Sequence, residues 1–222
     1  MEQMIKFPSI NLNGIKGVLL DLDNTLYHYD SSHLKAINEC YSHYNNNINK
    51  DLSFVDFSNI YRQKRDLVTK RLSPQGACRS RLFAFQAMFE EAKLEVSFEL
   101  AKEYDEIYWS NLINNMKLAK DASIFLKNCQ NSSIDICIVS DMIAHIQVKK
   151  IQKLGIAQNI KYLVTSEEVG TEKPDPRIFQ TALDKLNLGP KEVVMIGDSE
   201  NKDIKGAQAL GIKSYKVLVE NL

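Results

Sequence analysis

Cysteine is sparse and unpatterned in this sequence. Cys40, Cys78, Cys129 and Cys137 are scattered, with no Cys-x-x-Cys pair, so they read as reduced, packed thiols of a cytoplasmic protein. The four histidines, His28, His33, His43 and His145, show no zinc-type spacing. Net charge is also missing: 28 basic residues balance 28 acidic ones, and nothing in that balance favours nucleic acid as a partner. No apolar run approaches the ~20 residues that span a bilayer, so no membrane association is expected. The first eight residues lack the continuous apolar region of a secretory signal. Internal repeats are absent, and the only low-complexity stretch is Asn45-Asn46-Asn47.

What is present is ordinary for a globular chain of 222 residues: 44% apolar and 25% charged. That length accommodates one large domain or a core with an insert. The informative stretch is Gly17-Val18-Leu19-Leu20 followed by Asp21-Leu22-Asp23-Asn24-Thr25. An apolar run that turns abruptly polar reads as a buried strand opening into a loop. On an extended backbone, Asp21 and Asp23 point the same way, and Leu22 between them points inward. Two carboxylates ~4 Å apart repel by roughly 4 kcal/mol at an effective dielectric of about 20, so the pair needs a proton or a cation. Taken alone, the two acids are equally compatible with plain loop polarity.

Between about Asp30 and Asn115 the pattern is helical. Leu34, Ile37, Tyr41 and Tyr44 recur at helical spacing, as do Phe57, Ile60, Tyr61, Val68 and Leu72. A third set is Leu82, Phe85, Met88, Phe89 and Ala92; a fourth, opened by Ser97 as N-cap, is Leu100, Tyr104, Ile107, Tyr108 and Leu112. Four such helices can close a small bundle of their own. From about Met116 strands and helices alternate. Strands are expected at 134–139, 162–164, 192–196 and 212–219, and helices at 121–130, 143–154, 176–186 and 200–210. That alternation implies an α/β fold, a Rossmann-like parallel sheet core covered on both faces. The expected division is a catalytic core of 1–27 and 116–222, interrupted by a helical domain at 28–115.

In an open parallel sheet, ligands bind beyond the carboxyl ends of the strands. Here those ends carry Asp21 and Asp23, Ser140-Asp141, and Gly197-Asp198-Ser199 with Asp203 further on. The loop after the 162–164 strand supplies Lys173. Asp21, Asp23, Asp198 and Asp203 would bring four negative charges to one crevice. Lys173 answers one of them, and a divalent cation would answer two more. An all-oxygen site with few protein ligands suits magnesium, whose open positions suit a phosphate oxygen. Asp21, fixed directly at the strand tip, is then the candidate nucleophile in an in-line attack on phosphorus. Asp23 is the candidate acid–base. Acid work at neutral pH needs its pKa raised; neighbouring acids push that way and a metal pushes against it. Ser140 and Lys173 would hold the phosphoryl oxygens.

These motifs, in this order, resemble those of the haloacid dehalogenase superfamily, and specifically its phosphatases. The resemblance rests on Asp21-Leu22-Asp23-Asn24-Thr25-Leu26, Ser140, Lys173, and Gly197-Asp198-Ser199 with Asp203. It implies a magnesium cofactor and an aspartyl-phosphate formed on Asp21. It also implies that Asp198 binds the metal directly, that Asp23 lends its main-chain carbonyl, and that Asp203 orients the metal's surroundings or Lys173. Thr25 is expected in a supporting place beside the site. The helical domain is similar to the family's mobile cap. The residues from Asp23 to Tyr27 resemble the branch of pyrimidine 5′-nucleotidases and sugar-phosphate phosphatases. Within the superfamily an acid at Asp23 favours an alkoxide leaving group over a halide. The expected substrate is a small phosphorylated metabolite, of the nucleotide monophosphate or sugar phosphate class. Asn24 and Arg81 are the candidate substrate contacts; Arg81 precedes an apolar helix face, whereas Lys64, Arg65 and Arg79 read as solvated. A phosphomutase shares these motifs. A receiver-type phospho-accepting protein uses similar groups but carries no helical insert after its first strand, and a catalytically idle binding protein would not need the complete polar set.

Overall fold

The computed structural model describes residues 7–219; the first six residues and the last three, which the expected core span includes, lie outside the described residues. In chain order, strand β1 (Gly17–Leu20) is followed by helices α1 (Tyr29–Asn47), α2 (Phe54–Leu72), α3 (Arg81–Glu91) and α4 (Ser97–Asn114). Then come α5 (Lys120–Asn131), β2 (Asp135–Ser140), α6 (Ala144–Lys153), β3 (Tyr162–Thr165), α7 (Ser166–Val169) and α8 (Pro176–Leu186). The chain ends with β4 (Val193–Gly197), a π-helical turn over Glu200–Ile204, α9 (Lys205–Gln208) and β5 (Lys213–Lys216).

The chain divides into two compact units. One holds the chain up to Tyr29, residues 74–76 and everything from Lys117; the other holds 30–73 and 77–116. Residues 74–76 count with the first unit because Gly76 runs against Glu167: a Cβ on Gly76 would lie 2.6 Å from the Glu167 Cα.

The first unit is built on a five-stranded sheet in the order β3-β2-β1-β4-β5, with every pairing parallel. All four residues of β1 are buried, as a central parallel strand covered on both faces requires. One face packs Leu19, Val139, Val164 and Met195 against Ile178, Phe179, Ala182 and Leu186 of α8. Asp175 caps α8 by accepting the Arg177 N–H, and Pro176 takes its first turn.

The second unit is four helices around an aromatic core. Tyr61 and Phe85 have ring centroids 4.9 Å apart, and Phe89 and Tyr104 4.8 Å. On α1 the buried stripe runs through Ala36, Ile37, Cys40 and Tyr44, whereas Leu34 is exposed.

Several element ends differ from expectation. Ser97 is not the cap of α4 but its first residue; Val96 occupies the cap position with a left-handed backbone, φ 47°. The last strand stops at Lys216 rather than 219, because its partner β4 ends opposite it at Gly197. The helix expected at 200–210 begins as the π-helical turn, where both Asp203 N–H and Ile204 N–H donate to the Ser199 carbonyl. The short α7, capped by the Thr165 hydroxyl, spans four residues, too few to show a period.

Candidate active site

The register of the sheet brings the polar strand ends together. Leu20 pairs with Ile138 on one side and Ile196 on the other. The residues that follow each strand therefore emerge at one level, where the chain passes from one side of β1 to the other.

Asp21 leaves the tip of β1 with its main-chain N–H on the Ile196 carbonyl at 2.9 Å. Its side chain is 6% exposed, and both oxygens are held. Lys173 Nζ donates to Oδ1 at 2.7 Å, and the Thr25 hydroxyl donates to Oδ2 at 2.8 Å. Thr25 is fully buried. Lys173 Nζ also donates to Asp203 Oδ1 at 2.6 Å and to the Val139 carbonyl at 2.9 Å. Asp203 uses its other oxygen to accept the Ser199 N–H at 2.9 Å. Gly197 makes this approach possible, since a Cβ there would meet the Asp203 carboxyl carbon at 2.4 Å.

Carboxylate oxygens of Asp21, Asp198 and Asp203 lie within 4.8 Å of one another. The crowding shows in their acidity. Burial raises the Asp21 carboxyl to about 8 against the opposing pull of Lys173, with Asp203 and Asp198 adding to the rise. Burial and then Asp203 raise Asp198 to about 6. For Lys173, burial alone would lower the ammonium, but Asp203, Asp21 and Asp141 hold it well above the ordinary range. Three converging carboxylates with oxygen donors only are a donor set that suits a hard divalent cation.

Asp23 sits apart from these three. Lys150 Nζ donates to both of its oxygens, at 2.7 and 2.8 Å. The Tyr27 hydroxyl closes on Oδ1, and the Gln147 amide reaches Oδ2 at 3.4 Å. Burial on its own would raise the Asp23 carboxyl, yet Lys150, Tyr27 and Gln147 bring it below its usual value. The upward shift that acid work calls for is therefore absent in this state: Lys150, Tyr27 and Gln147, none of which the sequence marks as partners of Asp23, together outweigh burial. Ser140 is buried at the end of β2 and accepts from the Gln147 amide.

Asp141 bridges two loops. One oxygen accepts the Lys173 main-chain N–H at 2.7 Å and the other accepts Lys202 Nζ at 2.7 Å. Asn24 adopts a left-handed backbone, φ 63°, and its side-chain oxygen accepts the Tyr29 N–H at 2.9 Å. That bond ties the loop after Asp23 to the start of α1. In the helical unit, Arg81 is buried, with its guanidinium carbon 5.4 Å from the Tyr108 ring centre and 5.6 Å from that of Trp109.

The sequence reading thus named Asp21, Thr25, Lys173, Asp198 and Asp203, which one end of the sheet brings together. It missed Lys150, Gln147, Tyr27 and Lys202. A signal for two of these existed: Gln147 and Lys150 occupy the buried stripe of α6 with Ile146 and Ile151, positions where an amphipathic helix normally carries apolar residues.

Comparison with known proteins bears on the family and the fold. A family model described as haloacid dehalogenase-like hydrolase matches residues 15–211. The chain is similar to a ribulose-1,5-bisphosphate 5-phosphatase of Halopiger xanaduensis, at 30% identity over 89% of this chain and 82% of that one. It is similar also to a glyceraldehyde 3-phosphate phosphatase of Methanopyrus kandleri, at 28% identity over 91% and 84%. Among solved structures, the magnesium-bound hydrolase YfnB of Bacillus subtilis superimposes with a TM-score of 0.69 at 22% identity, covering 90% of this chain and 87% of that one.

Proposed function

Because the chain belongs to the family of haloacid dehalogenase-like hydrolases, we propose that it is a magnesium-dependent phosphatase of small phosphomonoesters, with Asp21 as its nucleophile. The observation that carries this reading is the state of Asp21. It is buried at a strand tip, fixed at both oxygens by Lys173 and Thr25, and set among Asp198 and Asp203. Such a carboxyl is oriented for attack and poised to lose its proton when a cation joins Lys173 in offsetting its charge.

Asp21, Asp198 and the main-chain carbonyl of Asp23 are the groups proposed to hold magnesium, with Asp203 fixing Lys173 beside them. A bound magnesium ion would offset the charge between the nucleophile and a phosphoryl group. An oxygen of Asp21 forms a bond to phosphorus as the ester P–O bond breaks, and the departing alkoxide takes a proton from Asp23. Water then attacks phosphorus, giving its proton to the Asp23 carboxylate, and the bond to Asp21 breaks to release phosphate. Lys150 leaves Asp23 ionised at rest, the form the second half needs. The charge of an arriving phosphoryl group pushes the other way and favours the protonated form for the first half. Because the Gln147 amide donates to Ser140 Oγ, the Ser140 hydroxyl hydrogen can be directed to a phosphoryl oxygen, and the Lys173 ammonium offers a second donor.

The two relatives aligned over most of their length are named for sugar phosphates, so that class is preferred here over nucleotide monophosphates, with Arg81 and Asn24 assigned to substrate selection. The reading also places the enzyme in the cytoplasm, in keeping with four free, buried cysteines. Among the described residues no helix is long and apolar enough to cross a membrane. A screen of phosphorylated metabolites for phosphate release, run with magnesium and again with chelator, tests the proposal. Turnover that requires magnesium is expected, and a wild-type protein inert towards the whole panel would refute it.

A further inference from the structure

Lys150 is the most heavily buried cation of the described chain outside the Asp21 cluster, with no exposed surface. It stands on the inward stripe of α6, where Ile146 and Ile151 flank it. Its ammonium stands near two aromatic rings: Nζ is 6.0 Å from the Tyr27 ring centre and 5.4 Å from that of Tyr29. The ammonium spends two of its hydrogens on one carboxylate, Asp23, at 2.7 and 2.8 Å. Tyr27 and Gln147 donate to the same carboxylate from either side. A lysine buried at this depth is costly unless paired, and this one is paired with a residue two places from the nucleophile.

Asp23 stands outside the cluster of converging acids. It leaves the same strand tip as Asp21, and its charge is felt at Asp198. Yet the carboxylates that converge within 4.8 Å are those of Asp21, Asp198 and Asp203. A free carboxylate so close to a cation site would be drawn into it. There it would lend the cation another negative ligand and be lost to proton transfer.

We propose that Lys150 is a positioning residue that holds the Asp23 carboxylate apart from the cluster of Asp21, Asp198 and Asp203, and so reserves it for proton transfer. The proposal deepens the phosphatase reading and rests on it. Removing the lysine therefore has two opposite effects. Magnesium binds more tightly, because Asp23 joins its ligands, and turnover falls, because the acid–base is displaced. A lysine that merely filled space would weaken both or move neither.

The test is a calorimetric titration of magnesium into the full-length protein, with phosphate release measured in parallel. Lys150→Met is expected to lower the magnesium dissociation constant at least about fivefold while lowering kcat at least about tenfold. Lys150→Arg should recover most of both. The control is a double-mutant cycle: on an Asp23→Asn background, Lys150→Met should alter magnesium affinity by less than about twofold, because no carboxylate remains to swing. Unchanged or weaker magnesium binding in Lys150→Met overturns the proposal. So does tightening of equal size in both backgrounds, which would reflect only the lost positive charge. If Lys150→Met does not fold, Lys150→Gln is titrated against the same expectations. A wild-type protein that binds magnesium but hydrolyses no phosphomonoester would refute the phosphatase reading and leave the titration able to judge Lys150.

Discussion

Lys173 Nζ donates to Asp21 Oδ1 at 2.7 Å, across 152 positions of the sequence. The same ammonium reaches Asp203 Oδ1 at 2.6 Å, so one buried cation holds two buried carboxylates from different strand ends. Removing it leaves both acids without their countercharge. Lys173→Met should destabilise the fold by about 3–5 kcal/mol in chelator, the usual cost of breaking a buried pair. The loss should be smaller with magnesium, which answers the same carboxylates. Urea unfolding in the two conditions checks this, and equal losses would contradict it.

Asp21 makes the apo protein sensitive to pH. Burial lifts its folded pKa from 3.8 to about 8, so the folded state holds this proton more tightly than the unfolded chain does. The resulting stability is complete below about pH 4 and is lost as pH rises through about 8. Asp198, raised to about 6, acts in the same direction. In chelator, the Tm of the wild type should fall more between about pH 5 and pH 8 than that of Asp21→Asn. Parallel curves would show that the carboxyl is not perturbed. Magnesium should flatten the wild-type curve.

His33 carries the opposite sign. Burial, then the charges of Arg81 and Arg65, lower its imidazole to about 3; its Nδ1 lies 2.7 Å from the Tyr108 hydroxyl. A depressed folded pKa gives stability that is present above the unfolded value near 6.5 and is lost as pH falls towards 3. Acid unfolding followed by circular dichroism should therefore show a shallower loss across that window in His33→Gln than in the wild type. Identical slopes would remove His33 from the account.

Arg81 combines packing with its proposed part in substrate selection. Arg81→Ala should raise KM for the best substrate more than about tenfold. It should also lower Tm, because the guanidinium packs on Tyr108 and Trp109. An unchanged KM would reject the substrate role and leave the structural one.

The legible part of this site is the part carried by strand ends. Asp21 and Ser140 follow an apolar run directly and Asp198 follows one after a single glycine, and the parallel register that aligns them follows from strands alternating with helices. Lys150 and Gln147 were hidden because a pair such as Lys149-Lys150 on a helix resembles a solvated face. The helical spacing of Lys150 and Gln147 from Ile146 and Ile151 is the one hint to the contrary, and the packing of α6 bears it out, turning Lys150 inward. The bridge from Asp141 to the Lys173 main chain and to Lys202 is likewise a product of loops meeting, with no periodicity to announce it. In the helical unit the apolar repeats indicate the four helices, but the start of α4 turns on the left-handed backbone of Val96, for which valine gives no signal.

Covalent transfer of the phosphoryl group to Asp21 is decided by trapping that intermediate. The protein is mixed with magnesium and a phosphorus-labelled sugar phosphate, quenched in acid, and digested. Label is expected on the peptide that contains Asp21, stable to acid, released by hydroxylamine, and absent from Asp21→Asn. Label that persists in Asp21→Asn, or turnover in that variant at the wild-type rate, would contradict it.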